Sequence, residues 1–198
     1  MSLQITKDSG SVYDPVFLKI LEDIPGGVTV KTDRFPDGIT ELKKGALLNA
    51  DASSAGLYNV IKTARLTATP SGGTTVLAIE PEDHLFKVGE FIYLYGTTAS
   101  TITRVSATAI AVAHTLVATG GAVSGGVLYE TATIATATPM HSADAILRNN
   151  IKVRDDEGNL LDNLFAGAVV RGTVDESELP YFVTTAQKTS LTDRIRFA

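Results

Sequence analysis

The residues of this chain whose types invite a chemical reading are three histidines, two acidic stretches and a few glycine pairs. His84 follows "EPED", so a carboxylate–histidine pair is conceivable there, although a solvated loop ahead of a strand explains the segment better. His84, His114 and His141 have no second histidine or carboxylate at metal-ligand spacing on a predicted helix. "VRDDEGNLLDN" has the look of a calcium loop. With Gly158 as the turn glycine, however, such a loop needs an acidic residue at Val153 and a closing glutamate at Leu164, and neither is present. A polar hairpin turn over Asp155, Asp156, Glu157 and Gly158 fits the segment instead. In "VDESELP", Asp175 suits a helix N-cap, with the following carboxylates at the positive helix end. "SGGTT" and "TGGAVSGG" lack the lysine of a phosphate loop and read as turns, and no Gly-x-Ser-x-Gly elbow occurs. No catalytic residue, no metal ligand and no cofactor-binding residue is expected.

The elements that would have to position any site are mostly strands. One phrase, apolar–two residues–Gly–one residue–two apolar residues, occurs at "LKKGALL", "FKVGEFIY" and "LFAGAVV". Glycine tolerates backbone angles that strain other residues, so Gly45, Gly89 and Gly167 are predicted to be structural turn residues at positive φ ahead of strands. The copies are unequally spaced, which excludes a fixed-period solenoid. "GGVTVKTD", a strand over about 57–66, "TTVLAIE", "STITRVSATAIAVAHTLVA" and "SGGVLYETATI" continue the pattern, and "NNIKVRDDEGNLLDN" reads as a hairpin turning at 155–159. Helix signals are few. They are a start at Asp14–Pro15 running through "VFLKILED", one or two turns capped by Ser142, and a helix placing Leu179, Phe182, Val183 and Ala186 on one face.

Composition bounds the class. The 198 residues are 44% hydrophobic and 20% charged, enough apolar material for a core. The net charge of -5 argues against a partner bound through its phosphates, so no nucleic acid is expected. Without cysteine there is neither a disulfide framework nor a thiolate site. No apolar run approaches the roughly 20 residues of a membrane span, and no secretory core is visible, so no membrane association and no signal peptide are expected. From Thr67 to about Gly126 the chain is dominated by Thr, Ala, Gly, Ser and Val, with most of the charge on either side. The expected fold is therefore mainly β. A small β-barrel or sandwich base from 1–66 and 127–198 carries an inserted Thr/Ala-rich β domain at 67–126, with one or two short helices. The chain should leave the base near Leu66 and return close by, near Val127. One continuous domain with a long central sheet is the alternative.

Particular segments also resemble a known family. "ELKKGALLNADASSAGLYNVIKTARL" is similar to the opening strands of tailed-phage capsid decoration proteins, and "DNLFAGAVVRGTVDESELP" to their closing segment. With "HLFKVGEFI" between them and "DAILRNN" ahead of the second, the string resembles the head fibre proteins of phages and prophages of gut Bacteroidales, over about Leu42 to Phe197. The resemblance implies a virion structural protein on the capsid exterior, made in the bacterial cytoplasm. It implies a homotrimer bound to the major capsid protein, with no enzyme activity and no cofactor. Small decoration proteins lack the 67–126 block, so no capsid-contact residue is carried over. The block is a candidate for the part that projects. The apolar C-terminal residues Leu179, Tyr181, Phe182, Val183, Leu191, Ile195 and Phe197 would fray unless docked, either on their own base or at an oligomer contact. The alternative functions are another phage tail, baseplate or adhesin β module that binds a host surface or carbohydrate, and an enzyme or sugar-binding domain. A sugar site ordinarily offers an aromatic platform, and this chain has no Trp and six scattered Tyr.

Overall fold

The computed structural model describes residues 15–68, 70, 75–80, 84–94, 99–114, 126–135 and 138–198. It is mainly β. In chain order the strands are β1 (Phe17–Asp23), β2 (Val28–Lys31), β3 (Glu41–Leu42), β4 (Leu47–Ala50), β5 (Leu57–Val60), β6 (Thr63–Leu66), β7 (Val76–Glu80), β8 (Phe91–Leu94), β9 (Ser100–Ser106), β10 (Ala109–Val112), β11 (Val127–Thr131), β12 (Ala145–Leu147), β13 (Ile151–Lys152), β14 (Asn163–Ala166), β15 (Ala168–Val174) and β16 (Ile195–Phe197). A 3₁₀ turn at Glu176–Glu178 and helix α1 (Thr185–Leu191) precede β16.

The base sheet runs β1-β15-β12-β4-β5-β2-β14, with β16 added parallel to β15. Its two ends belong to one long ribbon. β1 pairs with β15 and β2 pairs with β14, while β14 and β15 are separated only by Gly167. The ribbon bends where Ile24 N–H donates to Ala168 O at 2.9 Å, and this bend curls the sheet on itself. The central strands are buried on both faces. Leu48, Ala145, Leu147 and Ala168 face one core with Val30, Phe35 and Leu164. Their neighbours Leu47, Ile146 and Val169 face a second core, closed by Leu191 of α1 and Ile195 of β16. Strands covered on both sides need apolar residues at every position, which is why "ALL", "AIL" and "AVV" are runs and not alternations.

The second sheet is a closed barrel in the order β10-β7-β6-β11-β8-β9, with every neighbouring pair antiparallel. Here the inside is filled by alternate residues, Ala64 and Leu66, Leu77 and Ile79, Ile92 and Leu94, and Leu128, while on β8 and β11 the intervening Tyr93 and Tyr129 bury in a separate small cluster with Ala99. The chain enters through β6 and leaves through its neighbour β11, where Val127 pairs with Arg65 and Leu66 N–H donates to Gly126 O at 2.9 Å. The barrel strands span 63–131, slightly more than the Thr/Ala-rich block. One residue of that block, Leu85, is buried in the base core.

Several local expectations are corrected. "VFLKILED" is not a helix. It forms β1, because Val16 and Phe17 bury in the base and the backbone pairs with β15 (Asp14 lies outside the described residues). The segment after Ser142 is β12, whose Ala145, Ile146 and Leu147 are all buried between β15 and β4. The expected single strand over 57–66 is two, β5 and β6, broken at Ile61–Lys62 where the chain passes from one sheet to the other. The C-terminal helix begins at Thr185, so Leu179, Phe182 and Val183 precede it. Thr184 caps it, accepting from Gln187 N–H while Gln187 Oε1 accepts from Thr184 N–H at 2.8 Å.

Candidate functional site

The chemistry-bearing side chains that the fold brings together lie at the end of the barrel nearest the base. Strand alternation puts Lys62 in register with Ala64 and Leu66, Glu90 with Ile92 and Leu94, and Glu130 with Leu128. These are the inward rows of β6, β8 and β11. Each row therefore turns from aliphatic to charged at the same end. β6 and β11 are neighbours, as are β11 and β8, so the three charges are adjacent. Arg34, from the base segment after β2, closes the group.

All four side chains are linked. Lys62 Nζ pairs with Glu90 Oε1 and donates to Arg34 O, and Arg34 Nη2 pairs with Glu130 Oε1. Arg34 Nη2 also stands 3.8 Å from Glu90 Oε1, and Lys87 N–H donates to Glu90 Oε2 at 2.8 Å. The side chains of Lys62, Glu90 and Glu130 are 2%, 9% and 3% exposed, so the charges are desolvated and persist only because they face one another. Burial brings the Lys62 ammonium down to about 8, against the opposing pull of Glu90. His141, on the chain's return to the base, sits 3.5 Å from Arg34 Nη1. Burial first, and then the Arg34 charge, lowers its pKa to about 4, so the ring is neutral at physiological pH. Glu130 Oε2 and Gln187 Nε2 are buried without a hydrogen-bond partner and line one small void beside Ile61 and Pro139. The void brings the barrel floor up to α1. Such a group can hold two bodies together directionally. It offers no open cavity for a substrate.

Sequence reasoning missed this cluster. Its signal was a charge at an inward strand position, in "IKTARL" and in "VLYET", where alternation calls for an apolar residue.

The residues singled out from sequence are scattered. His84 is buried, not solvated. Nε2 donates to Ser106 O at 2.9 Å and Nδ1 accepts from Phe86 N–H at 3.3 Å, so backbone engages both ring nitrogens and the ring is not free to act as a base. Glu82 and Asp83, which would have formed its carboxylate pair, lie outside the described residues. The Asp155 carboxylate accepts from Glu157 N–H, Asn159 N–H and Asn159 Nδ2, at 2.7 to 3.0 Å. The contacts from Asn159 come first in holding its pKa below the usual value. The acid is thus spent on its own hairpin turn. Asp175 caps the 3₁₀ turn through Ser177 N–H at 3.0 Å. Gly45 and Gly89 have φ of 89° and 91°, whereas Gly167 is not at positive φ and marks the ribbon bend instead.

Of the C-terminal residues, Tyr181, Leu191 and Ile195 are buried in the chain's own base. Leu179, Val183 and Phe197 are partly buried against the core that holds Leu191 and Ile195, and Phe182 lies under the Arg65 guanidinium, 4.1 Å from the ring centroid. The tail thus docks on its own chain. Two open clefts flank the joint between barrel and base. One, of ≈ 450 Å³, lies between Pro36–Lys43 and the β9–β10 turn, and the other, of ≈ 520 Å³, between Arg65 and the Asp175–Val183 segment. Among the described residues no group of three or more His, Asp or Glu side chains is placed to hold a metal ion, and no helix is long and apolar enough to cross a membrane.

No family model matches this chain, and no curated protein or solved structure matches it significantly.

Proposed function

We propose that this chain is a non-catalytic virion structural protein that decorates the outer surface of a phage capsid, as a head fibre or decoration protein. In this reading the curled base sheet seats on the major capsid protein as a homotrimer, and the barrel projects from it. The observation that carries the reading is where the family-like segments fall. "LKKGALL", "DAILRNN" and "LFAGAVV", far apart in the chain, contribute β4, β12 and β15, three consecutive strands of the base sheet. The described strands of the block that small decoration proteins lack, β7 to β10, all lie in the other sheet, which is attached through adjacent strands. A projection of that kind adds to a decoration fold without disturbing its sheet. The charged side chains that do converge are paired with one another in the joint, where they serve assembly and not turnover.

The test is co-sedimentation of the purified chain with heads and, separately, with tails of the phage that encodes it. Saturable binding to mature heads is expected, at three chains per occupied site by quantitative gel densitometry. Binding confined to tails or baseplates would replace this reading with that of a tail or adhesin module. Binding to neither would remove both.

A further inference from the structure

The base and the barrel are joined covalently at two places, and both lead into the ion cluster. The outgoing crossing is Ile61–Lys62, and the return ends at Met140–His141, where Met140 N–H donates to Glu130 O at 2.8 Å. Arg34 Nη1 reaches Met140 Sδ at 3.0 Å. A body held at two neighbouring points can tilt about the line between them. Leu85, wholly buried in the base core, resists separation of the two parts. As a single aliphatic side chain it supplies no direction. Direction is what the ions supply: the planar Arg34 guanidinium spans carboxylates from β11 and from the β7–β8 connection, and Lys62 ties the second of these to the Arg34 backbone.

We propose that the Arg34–Lys62–Glu90–Glu130 cluster is an orientation lock that holds the barrel at one angle on the base sheet, while apolar burial keeps the two in contact. Energetics support this division. Buried ion pairs repay their desolvation poorly, and apolar residues of similar volume commonly replace them at no loss of stability. Three inward-facing charges closing an otherwise apolar barrel, with Arg34 of the base set against them, therefore need a reason other than adhesion, and fixing a single relative orientation is one that apolar contacts do not provide. The lock is a property of the chain itself and does not rest on a capsid-bound role.

The chain has no cysteine, so a pair of spin labels can be introduced cleanly. Val76→Cys on the barrel and Arg171→Cys on the base place them at exposed strand positions. Pulsed electron–electron double resonance should give one narrow distance distribution. In the background Arg34→Met, Lys62→Met, Glu90→Leu and Glu130→Leu, the width should at least double while unfolding stays cooperative. A folded quadruple variant with the unchanged narrow distribution overturns the lock. If that variant does not fold, Glu130→Gln is read alone, since it alters a single oxygen. Broadening supports the proposal, and a width within error of the parent overturns it.

Discussion

Replacing Gly45, Gly89 and Gly167 singly by Ala separates two physical effects that one sequence phrase hides. At Gly89, φ is 91° and an added Cβ would meet nothing within 4 Å, so only backbone strain acts. Left-handed backbone costs an L-residue roughly 1–2 kcal/mol. Loss of glycine's freedom in the unfolded chain returns about 0.4–1 kcal/mol of that. The expected net is a loss of about 1 kcal/mol. At Gly45, φ is 89° and the same strain applies, but the Cβ would also stand 2.8 Å from Pro180 Cδ and 3.1 Å from both Leu179 Cδ2 and Val16 Cγ1. Pro180 cannot swing aside, and overpacking of this kind adds about 1–3 kcal/mol. The expected loss is therefore about 2–4 kcal/mol. At Gly167, φ is not positive and the nearest atom, Arg148 Cβ, is 3.4 Å away, an ordinary contact with an exposed side chain. Alanine there should leave stability unchanged or raise it by about 0.5 kcal/mol. Urea unfolding followed by far-ultraviolet circular dichroism measures all three. Equal losses at Gly45 and Gly89 would refute the steric part, and a clear loss at Gly167 would refute the assignment of strain to positive φ.

Three further outcomes are expected. His141 is held neutral, with its pKa at about 4 in the fold against 6.5 in the free side chain. The unfolded chain thus takes up the proton first, and stability is lost as pH falls from 6.5 through 4. The loss should be about 1–2 kcal/mol for this half-buried ring, and His141→Asn should flatten the profile in that window. Leu85→Ala should destabilise by about 2–5 kcal/mol and lower the unfolding transition of the base, although the residue belongs to a connection between barrel strands; calorimetry reads this directly. Asp155→Ala should cost about 1 kcal/mol by freeing the donors of its own turn, and calcium titration of the parent should show no heat of binding at the hairpin.

Sequence alone settled the β class, most strand positions and the polar hairpin at Asp155–Asn159. These rest on short-range physics: side-chain alternation, the turn preferences of Gly and Asp, and capping by Asp175. It also marked where composition changes, within a few residues of where one sheet gives way to the other. Tertiary structure decided the rest. "VFLKILED" carries a helical spacing of apolar residues yet is a strand, because pairing with β15 outweighs local preference. "AIL" after Ser142 is a strand because it is sandwiched between β15 and β4. Gly45 and Gly167 share a phrase, but only the first meets a proline from the other end of the chain. The ion cluster was the least legible feature. Lys62 and Glu130 break the inward alternation of their strands, but that alone does not name their partners: Glu90 reads as an ordinary turn charge and Arg34 sits in a loop. They become one group only when three barrel strands and a base loop converge, because the partner that makes a buried charge tolerable is set by contacts between residues distant in sequence.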